Sequence, residues 1–251
     1  MSTPGEATAR AARSVVTGLG GAFMISPEAK AAGKDGGFRG RELYVVGRAG
    51  VLGDAVPEVV ASAIGFFEPA LVTSAWAAGR AKAPVADTVR RYAEVCQAWG
   101  RNRWSALSAV DELADLLGTV ADAADPTGWT LFAGWRAQPL PADAPARAAH
   151  LLQVLREHRG GAHLAAVRVA GLTPLEAIVA GPGGPGNAAF FGWPDPLPGA
   201  DDALRERHAR AEALTDQLVA PAYAVLDDHE GADLARLLAA ARDAAYPPEQ
   251  G

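Results

Sequence analysis

The sequence has almost no cysteine. Cys96 is the only one among 251 residues, so the chain can form neither an intrachain disulfide nor a metal site built from several thiolates. Such usage fits a reducing compartment and predicts a cytoplasmic protein. Cys96 itself is expected to be a small buried apolar residue.

Long apolar runs are also missing. No stretch approaches the roughly 18 apolar residues of a membrane span, and the longest candidate, residues 56–78, is interrupted by two prolines and two glutamates. Residues 1–13 carry scattered arginines with no apolar segment behind them, so they predict no secretory signal. They are small and polar, and they predict a frayed, disordered N-terminal end.

Positive charge is in deficit, since 23 lysines and arginines face 29 aspartates and glutamates, for a net charge of −6. No long-range positive field gathers phosphate, so nucleic-acid binding would need a local basic patch.

The chain is rich in apolar side chains, at 49% of residues. It can therefore bury a sizeable core, as one large domain or two small ones packed together.

The apolar residues recur mainly at helical spacing, and no strand pair with hairpin chemistry is present, so the sequence predicts an all-α fold. Residues 39–51 fit a helix or a strand about equally, with helix favoured. Towards the C-terminus the pattern predicts a helix over 144–158 stopped by Gly160 and Gly161, a short helix over 163–170, and a third that begins at the cap Thr173. Residues 181–199 hold six glycines and five prolines and predict a loop. Two further helices are predicted over 203–226 and 232–245.

Three regions follow from this pattern. Residues 1–13 form the disordered end, residues 14–142 an N-terminal helical region, and residues 143–251 a helix-turn-helix region with C-terminal helices. The two helical regions are predicted to pack as one lobe.

One stretch carries a recognisable signature. Residues 155–167 read LREHRGGAHLAAV, and residues 171–177 read GLTPLEA. They resemble an actinobacterial winged-helix family of unknown function, whose members carry an LREHRGDGHVAAL stretch. The resemblance extends more loosely to residues 26–29, 39–40, 66–69 and 215–218. It implies a tri-helical helix-turn-helix core within a chain that resembles the family over most of its length, and the prediction includes a link to secondary metabolism.

The sequence departs from that family at two places. The family's aspartate in the Arg-Gly-Asp-Gly-His turn is missing, because Gly161 and Ala162 stand there, and any role that needs this carboxylate is lost. After a pair that resembles Gly192 and Trp193, the family has a further helix and a wing, whereas here a short Pro-rich segment follows. The core is therefore predicted to be degenerate and wingless.

DNA binding is the function that such a core suggests, but its recognition helix would have to supply Arg, Lys, Asn or Gln to the bases. The helix after Thr173 supplies none. Residues 160–204 contain one arginine against one glutamate and three aspartates, a balance of −3, and such a surface repels phosphate. Arg156 and Arg159 are the only plausible phosphate contacts, so a transcriptional regulator is an alternative and not the main prediction.

An enzyme is the second alternative. Glu157, His158 and His163 are the candidate catalytic residues, because histidine and carboxylate carry protons near neutral pH and the two histidines could face one cleft across the Gly-Gly turn. Structural roles at helix ends explain the same residues and are favoured. Neighbouring Glu157 and His158 point about 100° apart, so no metal site is predicted, and no cofactor can be named.

Small-molecule or partner binding is the main prediction. Phe190, Phe191 and Trp193 lie in a Gly/Pro segment where no local pattern demands burial, so they either cover an apolar cleft as a lid or fill the core as a plug. The predicted cleft lies between the N-terminal helices and the helix-turn-helix core. The predicted ligand is a small apolar molecule. Whether the protein forms a homodimer is left undecided by the sequence. The predicted ligand-binding residues are Arg156, His163, Phe190, Phe191 and Trp193. The other large rings are expected to be mostly core: Trp99, Trp104, Trp129 and Trp135.

Overall fold

The computed structural model describes residues 5–247, which form thirteen α-helices and two short 3₁₀ turns and contain no strand. The predicted all-α class is therefore confirmed. The helices are α1 (Glu6–Ala22), α2 (Pro27–Asp35), α3 (Glu42–Ala49), α4 (Pro57–Ile64), α5 (Pro69–Arg80), α6 (Val85–Trp104), α7 (Val110–Ala123), α8 (Thr130–Arg136), α9 (Ala144–Val169), α10 (Pro174–Ala180), α11 (Gly184–Phe190), α12 (Asp202–Tyr223) and α13 (Asp228–Ala245).

Helix α9 is the centre of the fold. It packs against α1, α6, α7, α8 and α12, and its N-terminal half is buried on nearly every side, polar His150 and Gln153 included. The largest core cluster contains residues of α1, α6, α7, α9 and α13, so it draws on both sides of position 143. Cys96, Trp99, Trp104 and Trp135 are buried in this core, as predicted.

The N-terminus differs from the prediction. A helix begins at Glu6, within the segment predicted to be disordered, and residues 1–4 lie outside the described part. Ala9, Ala12 and Val16 recur at helical spacing and are buried. Alanine, glutamate and arginine at the start of α1 favour helix, and burial of this face against α9, α12 and α13 stabilises it.

The predicted end of a helix at Gly160 and Gly161 was wrong. Helix α9 continues through Gly160 and Gly161 to Val169, so the two predicted helices are one helix of 26 residues. A glycine inside a helix costs only about 1 kcal/mol of stability relative to alanine. Packing of α9 on both sides of the two glycines outweighs this cost. A Cβ on Gly161 would lie 2.9 Å from the Trp129 ring, so this glycine permits a close contact and does not end the helix.

The helix-turn-helix unit is formed by α9, the turn at residues 170–173, and α10. The axes of α9 and α10 are bent by 99°, within the range of this motif. Gly171 takes a positive φ of 75° in the turn, and Thr173 and Glu176 form a reciprocal capping box. The predicted Thr-capped start of this helix is confirmed.

The prediction of a loop over 181–199 was wrong for its first half, because α11 forms there. Pro185 fits the first turn of that helix, where its missing N–H costs nothing, and Ala188 anchors it in the core. No strand pair follows α11 in residues 191–247, so the described chain has no wing. Within residues 5–247, no single helix is long and apolar enough to cross a membrane; α9 and α10 reach that length and composition only as a bent pair.

Candidate functional site

A cleft of about 1100 Å³ separates the N-terminal helices from the helix-turn-helix unit. This is where the sequence predicted one. Four of the predicted site residues line it: Arg156, Glu157, His163 and Phe191. His158, Phe190 and Trp193 do not line it.

His158 points into the core instead of the cleft. Its ring centroid lies 4.8 Å from that of Phe132 and 6.5 Å from that of Trp129, and the residue is 4% exposed. Burial, together with nearby Arg136, lowers the pKa of His158 to about 4. His158 and His163 share one helix and project about 140° apart, so the predicted pairing of the two histidines across a Gly-Gly turn was wrong.

At one end of the cleft, Glu157 accepts two hydrogen bonds from Arg48 of α3, at 2.7 Å (Nε to Oε1) and 2.8 Å (Nη2 to Oε2). Gln153 and Arg156 also donate to its Oε1, at 2.7 and 3.2 Å. Burial alone would raise the pKa of Glu157, but the Arg48 guanidinium outweighs it and holds that pKa below its usual range. Glu157 is therefore ionised and hydrogen-bonded to three side chains. It is poorly placed to carry protons.

At the other end, His163 has a defined tautomer. Its Nδ1 lies 2.9 Å from the hydroxyl oxygen of Thr215, and that hydroxyl donates its only proton to the Ala211 carbonyl at 2.7 Å. Nδ1 must therefore carry the hydrogen, which leaves the lone pair on Nε2. Burial lowers the pKa of His163 to about 4, so the ring is neutral at pH 7.

The surroundings of His163 come from the turn between α4 and α5 and from α12. Phe66, after α4, stacks on the His163 ring with centroids 5.5 Å apart. Glu212 of α12 places its Oε1 3.6 Å from His163 Nε2 and accepts a hydrogen bond from Arg159 on its Oε2 at 2.6 Å. His208 lies one turn before Glu212, and its ring centroid is 6.4 Å from that of His163.

Sequence reasoning missed His208, Glu212 and Arg48. A histidine and a glutamate four residues apart share one helix face, and that spacing was the only available signal for the first two. Nothing local ties them to His163, or Arg48 to Glu157, because each partner stands on a different helix.

The aromatic segment after α11 is fixed to the turn between α4 and α5. The Trp193 indole donates to the Phe66 carbonyl at 2.8 Å, and the Glu68 amide donates to the Phe191 carbonyl at 3.0 Å. The Phe191 ring meets Phe67 edge to face, with centroids 4.7 Å apart. Phe190 lies outside, 43% exposed beneath the Arg41 guanidinium. This segment closes one side of the cleft.

The fold and the bent α9–α10 pair define a helix-turn-helix protein. A family model described as a helix-turn-helix family matches residues 9–248, and the chain belongs to that family. No curated protein and no solved structure matches the chain.

Proposed function

We propose that the protein binds a small organic molecule, with an apolar aromatic body and an acidic end, in the cleft beside its helix-turn-helix unit. The observation that carries this proposal is the orientation of α10. Its residues Ala177 and Ile178 are buried and form part of the cleft wall. The helix that would read DNA in a regulator is used here to enclose a cavity.

The apolar body is argued from the rings in the wall. Phe66, Phe67, Trp129 and Phe191 all line the cleft, together with aliphatic residues such as Leu164. A cleft that joins such a surface to a few polar groups is the usual form of a small-molecule site. The volume of this cleft, about 1100 Å³, is slightly above the usual range for such sites.

The acidic end is argued from the charge at the Arg48 end. Arg48 and Arg156 share one carboxylate, that of Glu157, which leaves one positive charge uncompensated. Arg156 donates a single N–H to Glu157, whereas a guanidinium has five N–H donors. A carboxylate or sulfonate of the ligand can accept from the remaining donors in a desolvated setting, where such bonds are strong.

Two fluorescent probes with related rings test the charge. Anilinonaphthalene sulfonate carries an anionic group and N-phenylnaphthylamine does not. We expect both to bind the folded protein, and Arg156→Gln to weaken the sulfonate at least several-fold while the neutral probe is unaffected. Arg242→Gln is the control, because Arg242 is exposed on α13, outside the cleft, and donates to the neighbouring Asp243.

A second pair of variants tests the location. A Cβ on Gly160 would meet no atom within 4 Å, and Gly160 lines the cleft, so Gly160→Leu should fill the cavity and weaken both probes. Gly18 of α1 has the same free space but lies outside the cleft, and Gly18→Leu controls for the change in helix propensity. Unchanged binding of both probes in Gly160→Leu, with the fold intact, would rule out this cleft as the site.

A further inference from the structure

A second constellation in the cleft has a different chemistry. His163, His208 and Glu212 each offer a ligand atom, and these three atoms lie within 4.8 Å of one another. All three residues line the cleft and are partly buried. We propose that they form a binding site for a divalent first-row transition metal ion, with an open coordination position towards the cleft.

The orientation of His163 supports this site. Because Thr215 accepts the Nδ1 hydrogen, Nε2 presents its lone pair on the side of Glu212. A histidine ligand usually donates its other ring N–H to a fixed acceptor, which sets the tautomer and the ring plane. Thr215 is fully buried and held by Ala211, and the stacked Phe66 ring restrains the imidazole further. The supporting contacts of a metal ligand are therefore already in place.

Glu212 is held in a comparable way. Arg159 binds its Oε2, so Oε1 remains available, 3.6 Å from His163 Nε2. Two ligands of a tetrahedral ion, each about 2.1 Å from it, lie about 3.4 Å apart. This pair already has nearly that separation. His208 stands four residues before Glu212 on α12, on the same helix face, and needs only a small side-chain adjustment to close the set.

The donor types select the ion. Two imidazoles and one carboxylate favour zinc or iron(II) over magnesium and calcium, which prefer oxygen ligands. Three protein ligands leave at least one position for water or for a donor atom of a bound molecule, as in catalytic and not structural zinc sites.

Zinc alone is the probe for the first test. The full chain is treated with a chelator, dialysed and titrated with Zn²⁺ by calorimetry, and Co²⁺ absorption then reports the coordination geometry. We expect one ion per chain, and binding at least ten-fold weaker in His208→Ala and in Glu212→Gln. Thr215→Val keeps all three ligands but loses the orienting contact, and should weaken binding by about 10- to 100-fold.

His229→Ala is the matched control. His229 and Asp233 form an exposed histidine–carboxylate pair with the same spacing on α13, with Nδ1 and Oδ2 3.0 Å apart, but no third ligand joins them in the described chain. This variant should bind zinc like the wild type. A wild type that takes up no zinc, or zinc binding that survives His208→Ala and Glu212→Gln, overturns the proposal. Because the naphthalene probes are tested without metal, failure of either proposal leaves the other intact.

Discussion

Arg48 and Glu157 form a two-pronged ion pair in the interior, with the arginine 7% and the glutamate 1% exposed. The pair joins α3 to α9 and forms one end of the cleft. Trp135 on α8 donates to the Arg48 carbonyl at 2.9 Å, so three helices meet at this point. The ion pair therefore acts on both the stability of the fold and the charge of the candidate site.

Replacing only one residue of the Arg48–Glu157 ion pair should destabilise the protein. We expect Arg48→Met to lower the free energy of unfolding by about 3–5 kcal/mol, because it leaves a buried carboxylate without its counter-ion. The double variant Arg48→Met/Glu157→Met should recover most of that loss. Urea unfolding measures both, and Arg242→Met, which breaks an exposed pair, should cost under about 1 kcal/mol. A small loss in Arg48→Met would show that water or the Gln153 and Arg156 donors compensate Glu157 fully.

Alanine substitution at the two adjacent glycines of α9 should change stability differently. Gly160→Ala adds a methyl group to open space and removes backbone freedom from the unfolded chain, so it should stabilise the protein by about 0.5–1 kcal/mol. Gly161→Ala places its Cβ 2.9 Å from Trp129 and should lose that gain or destabilise. Thermal melts of the two variants decide this, and equal stabilisation by both would contradict the Trp129 contact.

Burial of His158 should make the protein acid-sensitive. Its pKa is about 4 in the folded chain and about 6.5 in an unfolded one. Between these values the unfolded state binds the proton and the folded state does not, so stability falls as the pH falls from 6.5 towards 4. His158→Leu should remove up to about 3 kcal/mol of this pH dependence, measured as unfolding free energies at pH 7 and pH 4. Identical slopes would show that His158 is solvated.

Duplex DNA should not be bound at physiological salt. The two arginines predicted as phosphate contacts face the cleft, where Arg156 contacts Glu157 and Arg159 contacts Glu212. Helix α10, in the position of a recognition helix, carries Glu176 and no basic residue, and phosphate contacts dominate DNA affinity. Fluorescence anisotropy with random duplexes measures this. Micromolar binding with a steep salt dependence, lost in Arg156→Ala or Arg159→Ala, would reverse the prediction.

The Trp193–Phe66 hydrogen bond is one of the contacts that hold the aromatic segment in place. Trp193→Phe keeps a ring but removes the indole donor, which should cost about 1 kcal/mol and speed amide exchange in residues 184–193. Hydrogen-exchange mass spectrometry reports both states. If exchange in the wild type is slow and does not respond to the naphthalene probes, the segment is a plug and not a lid.

The sequence alone determined the helical class and the starts of several helices, among them α9 and α10. Thr173 and Glu176 cap their helix as predicted, because a cap is made by residues within one turn of each other. Burial of Cys96 and of most tryptophans also followed from residue type alone. The location of the cleft was predicted from where ligand sites form in helical proteins.

Tertiary structure decided what these local rules could not. The Gly-Gly pair carries weak helix propensity, and the N-terminal end was predicted to fray because chain ends often lack tertiary contacts. In the described chain α9 packs against α8 and α12, and α1 packs against α9, α12 and α13, so helix forms at both places. The ion pair of Arg48 with Glu157 and the convergence of His163 with His208 and Glu212 join residues from different helices. Spacing rules reach one or two turns along a helix, whereas these contacts depend on how α3, α9 and α12 pack, which only the folded chain fixes.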